Sequence, residues 1–109
     1  GTAVAAGNFV LNANWGSTAT VTLVAGTDTF HEYTITCQGA AIGANPTVTA
    51  TFTSAYAAAP RVKVELNGGT GTGTLLPLFT SSTTGGYAFT YQGTPVTATT
   101  YKFTVFVAQ

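Results

Sequence analysis

Apolar and polar residues alternate one by one along most of this chain. In TVTATFT, residues 47–53, Val48, Ala50 and Phe52 are separated by threonines. The same period of two groups Val21 with Leu23, and His31 with Tyr33, Ile35 and Cys37. It groups Val62, Val64 and Leu66 in RVKVEL, Tyr87, Phe89 and Tyr91 in GYAFTYQ, and Tyr101, Phe103, Val105 and Val107 in TTYKFTVFVA. Successive strand side chains point to opposite faces, so each group marks one face of a half-buried strand. TLLPLFT is a further strand, but Pro77 has no N–H to give a ladder and demotes it to an edge or a bulge. Turn-forming stretches separate the runs, at Ala25-Gly26, 39–46, 67–73, 81–86 and Gly93-Thr94-Pro95. The pattern predicts an all-β fold, an antiparallel β-sandwich or jelly-roll-like barrel of about seven or eight short strands. No window repeats at 3.6 residues. SAYAAAP is too short for a helix, and Pro60 pushes Ala59 out of the helical region, so no helix beyond about two turns is expected. The expected core comprises Val21, Leu23, Ile35, Val48, Phe52, Val62, Val64, Phe89, Phe103 and Val105.

The chain of 109 residues reads as a single domain over 1–109, with 1–8 a linker or a loose first strand. Its composition changes the picture in one respect. Only 6% of residues are charged, three basic and three acidic, against a usual value of about 25%. Polarity comes instead from threonine, serine, asparagine and glycine. Three basic residues cannot neutralise a row of phosphates, so nucleic acid is not an expected partner, nor is an anionic membrane. No apolar run approaches the roughly 18 residues of a membrane-spanning helix. Arg61, Lys63 and Glu65 fall at alternate positions of one strand, opposite its valines. They form either a solvated face whose mixed signs discourage edge-to-edge aggregation, or an inter-subunit or ligand-facing ladder.

Candidate chemistry is thin. Asp28 and Glu32 lie four apart, roughly 13 Å along a strand, too far for a glycosidase carboxylate pair. His31 is the sole histidine, none of the serines sits in a G-x-S-x-G elbow, and His31 shares a face with Tyr33 and Ile35. It reads as a structural histidine. Cys37 reads as a buried, inert thiol, because no basic neighbour lowers its pKa. One histidine, one cysteine and scattered acids leave no metal site. NGGTGTG lacks the P-loop lysine and has no helix after it, so it reads as a hairpin tip. No catalytic residue, cofactor or metal is therefore expected. Trp15, in NANWGST, is either a stacking surface for a sugar or a plug for one end of the barrel.

The block TVTATFTSAYAAAPRVKV, a glycine-threonine loop, and the terminal TTGGYAFTYQGTPVTATTYKFTVFV together resemble C-terminal head or knob domains of tailed-bacteriophage virion fibre and receptor-binding proteins. NFVLNANWGSTATVTLVAG also resembles segments of phage structural proteins. The resemblance implies a non-enzymatic domain on the virion surface, a fibre tip or spike head that attaches to a host surface glycan or protein. It implies self-association, expected as a homotrimer, and contact with other virion proteins. The alternatives are a capsid decoration domain without receptor binding and a secreted carbohydrate-binding module. A receptor contact is expected at loop tips, through Asn67, Thr70 and Thr72 in the glycine loop, with Trp15 and Tyr91 as stacking surfaces.

Overall fold

The computed structural model describes residues 3–70 and 77–108. These form eight strands: β1 (Phe9–Leu11), β2 (Thr20–Thr27), β3 (Phe30–Cys37), β4 (Thr47–Thr51), β5 (Arg61–Leu66), β6 (Pro77–Ser82), β7 (Gly86–Tyr91) and β8 (Thr99–Ala108). Sheet I has the order β1-β4-β7-β6 and sheet II the order β2-β3-β8-β5. Every strand pair is antiparallel. Of the two expected closures, the sandwich is the one that forms. Among the described residues the only helical elements are two single 3-10 turns, Ala6–Asn8 and Ala13–Trp15.

The alternating faces meet between the sheets. Ile35, Val48, Phe52, Val62, Phe89, Phe103 and Val105 are buried as the pattern predicts. Val21, Leu23 and Val64 are only half-buried and pack against that core from its margin. The reason is position: β2 and β5 are the edge strands of sheet II, so their inward side chains are covered from one flank. The bulk of the core is aromatic instead, with Trp15, Tyr33, Tyr91, Tyr101, Phe89 and Phe103 fully enclosed. Prolines stand where a missing donor is harmless: Pro60 just before β5, and Pro77 at the start of the edge strand β6.

Within the leading segment, Ala3 and Val4 dock against the end of β2. Ala3 bridges Thr27, the Val4 N–H donates to Gly26 O, and Val4 is buried. A short strand, β1, follows at Phe9, paired with β4 through Phe9 and Ala50.

Charge is divided between the sheets. No strand of sheet I contains a charged residue. Glu32, Arg61, Lys63, Glu65 and Lys102 all alternate with the buried positions of sheet II and so lie on its outer face. Lys102 Nζ meets Glu32 Oε2 at 3.2 Å and Lys63 Nζ meets Glu65 Oε1 at 3.0 Å. The sixth charge, Asp28, occupies the β2–β3 turn.

The fold predicts unequal costs for two substitutions on opposite faces of sheet II. Phe103→Ala, which empties a fully buried site, should cost about 3–5 kcal/mol. Lys63→Ala, at an exposed position on the neighbouring edge strand, should stay within about 0.5 kcal/mol. Urea unfolding midpoints measure both, and comparable losses would contradict the assigned faces.

Candidate functional site

Antiparallel strands reverse at every connection, so alternate connections gather at one end of the sandwich. Segments 12–19, 38–46, 67–70 and 92–98 therefore share an end, termed here the loop end. The molecule measures 39 × 21 × 21 Å. Ala3, against Thr27, and Ala108, against Arg61, lie at the opposite end with the β2–β3 turn.

The loop end rests on an aromatic floor. Trp15, Tyr91 and Tyr101 are fully buried, with ring centroids 5.4 Å apart for Trp15 and Tyr91, 5.8 Å for Trp15 and Tyr101, and 5.0 Å for Tyr91 and Tyr101. The polar tips of two of these rings are used internally. Trp15 Nε1–H donates to Thr47 O at 3.0 Å, and Tyr101 Oη accepts the Val96 N–H at 2.9 Å. Burial pushes the Tyr91 phenol well above its usual pKa range. Trp15 and Tyr91 therefore present no ring face to solvent, and the expectation that they stack on a ligand is corrected. The physical reason is that loops 12–19, 38–46 and 92–98 fold over them. Trp15 is the plug of this end.

The loops are fastened to one another by backbone and amide groups. Gly16 has φ 114°, and a Cβ there would lie 2.1 Å from Gln38 O, so only glycine allows segments 12–19 and 38–46 to cross this closely. Asn14 Nδ2 donates to Ala44 O, and Ser17 Oγ accepts from the Ala40 N–H. Asn45 bridges to the next loop: its N–H donates to Gly93 O at 2.7 Å and its Oδ1 accepts the Gly93 N–H at 2.9 Å. Ala41, Asn45 and Ala98 hold φ of 62°, 53° and 61°. These are the only non-glycine residues with positive φ among those described, and all three lie at this end. Such conformations cost about 1–3 kcal/mol each and persist only where surrounding contacts impose them.

Asn67 and Thr70 are exposed at the same end. Asn67 Nδ2 donates to Thr104 Oγ1 at 3.0 Å. Thr70 exchanges bonds with Thr100, its N–H donating to Thr100 Oγ1 and its Oγ1 accepting from the Thr100 N–H. Thr72 lies outside the described residues. The structure thus brings Asn67 and Thr70 to the end that Trp15 and Tyr91 support. It adds Thr18, Gln38, Gln92, Thr94 and Thr97, whose side chains are exposed around them. The sequence marks three of these segments as turns, at 39–46, 67–73 and Gly93-Thr94-Pro95, but does not gather them into one surface. The parity of the strand connections carried that signal. Segments 12–19, 38–46, 67–76 and 92–98 contain no charged residue at all.

A second polar cluster lies at the opposite end, inside the core. His31 Nδ1 lies 3.0 Å from Thr27 O, and a carbonyl can only accept, so Nδ1 carries the proton. Nε2 of the neutral ring then accepts from Tyr87 O–H at 2.8 Å. Tyr33, His31 and Tyr87 are all buried, so the cluster is closed to a substrate. Asp28 accepts the Thr53 and Ser54 N–H groups at 2.9 and 3.0 Å and pins the segment after β4. Cys37 is a buried free thiol, as expected, and burial raises its pKa. No three of His, Cys, Asp and Glu come together among the described residues.

No protein-family model, curated protein or solved structure matches the chain. What the loop end can bind follows from its own groups: amide and hydroxyl donors and acceptors, no formal charge, and a rigid base.

Burial lowers the His31 pKa, outweighing the hydrogen bond to Thr27 and the nearby Asp28 charge. The unfolded chain then binds a proton that the folded chain resists. Stability is full above about pH 6.5 and falls as pH drops below it, by at most about 1.4 kcal/mol per unit from this group. Denaturant titrations at pH 7.5, 6 and 5 should show this slope, and His31→Gln should flatten it. A wild-type domain that gains stability over the same interval would contradict the assignment.

Proposed function

We propose that this domain is a non-enzymatic attachment module of a bacteriophage virion, a fibre tip or spike head, whose loop end binds a neutral host-surface glycan. The observation that carries the reading is the uncharged, amide- and hydroxyl-bearing loop end, built over buried aromatics. Sugars offer neutral hydroxyls, and asparagine, glutamine and threonine supply matching donors and acceptors. A rigid base lowers the ordering cost of binding, and the left-handed residues at Ala41, Asn45 and Ala98 are consistent with a surface held in one shape. A tether at either Ala3 or Ala108 leaves the loop end free. The virion setting rests on the resemblance of the strand and loop segments described above.

The test is attachment to host cells, or affinity for host polysaccharide, across about 0.05–0.5 M salt, a range over which charge screening changes markedly. Binding should change little with salt. The double substitution Gln92→Ala and Thr94→Ala, or Asn67→Ala alone, should weaken it up to about tenfold per lost hydrogen bond. Steep loss with salt would point instead to Arg61, Lys63 and Lys102 on sheet II. Absence of binding to any host surface would favour a capsid decoration role.

A further inference from the structure

We infer that the edge of β2 from Ala19 to Leu23 takes an extended, uncharged segment of another polypeptide, which adds to sheet II as a further strand and sets its apolar side chains over a groove between β1 and β2. The two long sides of the sandwich differ. On one, β6 runs alongside β5 and Ser82 Oγ donates to Pro60 O at 2.8 Å, so the sheets close on each other. On the other, β1 and β2 leave a groove of about 550 Å³. It is lined by Phe9, Val10 and Leu11 from sheet I and by Ala19, Thr20 and Val21 from sheet II. At one end of it a Cβ on Gly7 would meet no atom within 4 Å. The side chains along the groove are incompletely covered. Leu11 and Val21 are half-buried, and Val10 at the lip is 62% exposed.

The chain itself begins such a strand. Ala3 bridges Thr27 in the antiparallel sense and the Val4 N–H donates to Gly26 O, both on the outer edge of β2. At Ala6 the chain leaves that edge through a 3-10 turn and enters β1, in the other sheet. No described strand pairs with the rest of the edge, at Thr20–Leu23. Its backbone faces outward in a fixed pattern. The Thr18 N–H donates to Gln38 O in the register that sets Thr20 opposite Thr36. Thr20 and Thr22 therefore exchange bonds with β3, while Val21 and Leu23 turn their N–H and C=O groups outward. Nothing among the described residues bonds those groups. A strand that continues the antiparallel sense of Ala3 places the residues opposite Ala19, Val21 and Leu23 on the inner face, over the groove, and those opposite Thr20 and Thr22 outside. The segment that fits alternates apolar and neutral polar residues over about five positions, the pattern of strand addition to a sheet edge. The register shift after Leu23 ends the site. Charge narrows the occupant further. Residues 3–27 include no charged side chain, so a carboxylate or ammonium carried into the groove would lose its hydration without gaining a partner. The inference does not rest on the glycan reading.

The test titrates isotope-labelled domain with a capped synthetic peptide, TVTVTVT, up to about 5 mM, which suits a contact one short strand wide with a dissociation constant of roughly 0.1–0.5 mM. The amide signals of Phe9–Leu11 and Ala19–Leu23 should shift in one saturable step. The outward amides of Val21 and Leu23 gain acceptors, so their exchange with solvent should slow about tenfold with peptide at about ten times its dissociation constant. The peptide TVTPTVT lacks a central donor, and TVTDTVT carries a carboxylate over the groove. Each should bind at least about tenfold more weakly. Both comparisons leave the domain unaltered, so neither depends on a variant that folds. Shifts centred elsewhere, equal affinity for the three peptides, unslowed exchange at Val21 and Leu23, or no saturable change by about 5 mM would each overturn the inference. So would sedimentation of the domain alone as a dimer that the peptide dissociates, which would make a second copy the occupant.

Discussion

The structure depends on one aromatic layer between the sheets, centred on Phe103. Its ring lies 5.1 Å from Phe89, 5.9 Å from Tyr33, 6.1 Å from Tyr91 and 6.2 Å from Trp15, in tilted or edge-on arrangements. Such pairs contribute about 0.5–1.5 kcal/mol beyond the area they bury. They take the place of the ion-pair networks that a chain with six charged residues cannot build. β8 supplies Tyr101, Phe103, Val105 and Val107 to the layer and is hydrogen-bonded to both β3 and β5, so it is the strand through which sheet II and the core are joined.

The same layer reaches both ends of the sandwich and treats them differently. At the loop end the tips of Trp15 and Tyr101 hold Thr47 and Val96, so the rings fix backbone segments that carry exposed amides and hydroxyls. At the opposite end the tip of Tyr87 is spent on His31, and the polar groups are sealed in. A buried network of this kind orders the core but offers nothing to a ligand. The division of charge follows from the same economy. The face of sheet II carries the ionic groups, while the strands of sheet I and the loop end carry none.

Much of this was legible in the sequence because a period of two assigns faces directly. His31, Tyr33, Ile35 and Cys37 fall together in the chain and are together in the core. Alternation does not say which strands are edges, which is why Val21, Leu23 and Val64 are half-buried rather than enclosed. It also fails for strands too short to alternate, and β1 is three residues. Trp15 and Tyr91 sit where strands end, and whether an end ring is open or roofed depends on loops distant in sequence. Segments 38–46 and 92–98 supply that roof, through Asn45 and Gly93. Asn67 and Thr70 were identifiable as exposed loop residues, whereas Gln38 and Gln92 join them only through the parity of strand connections.

The contact surface we propose for a neutral glycan is the loop end, rather than a sheet face or an edge. Amide chemical-shift mapping tests it most directly, with isotope-labelled domain titrated with host-surface polysaccharide. The account predicts changes concentrated at Gln38, Asn67, Gln92 and Thr94, with the residues of β4 and the outer positions of β3 unmoved. Changes confined to Glu32, Lys63 and Lys102, with the loop end silent, would contradict it.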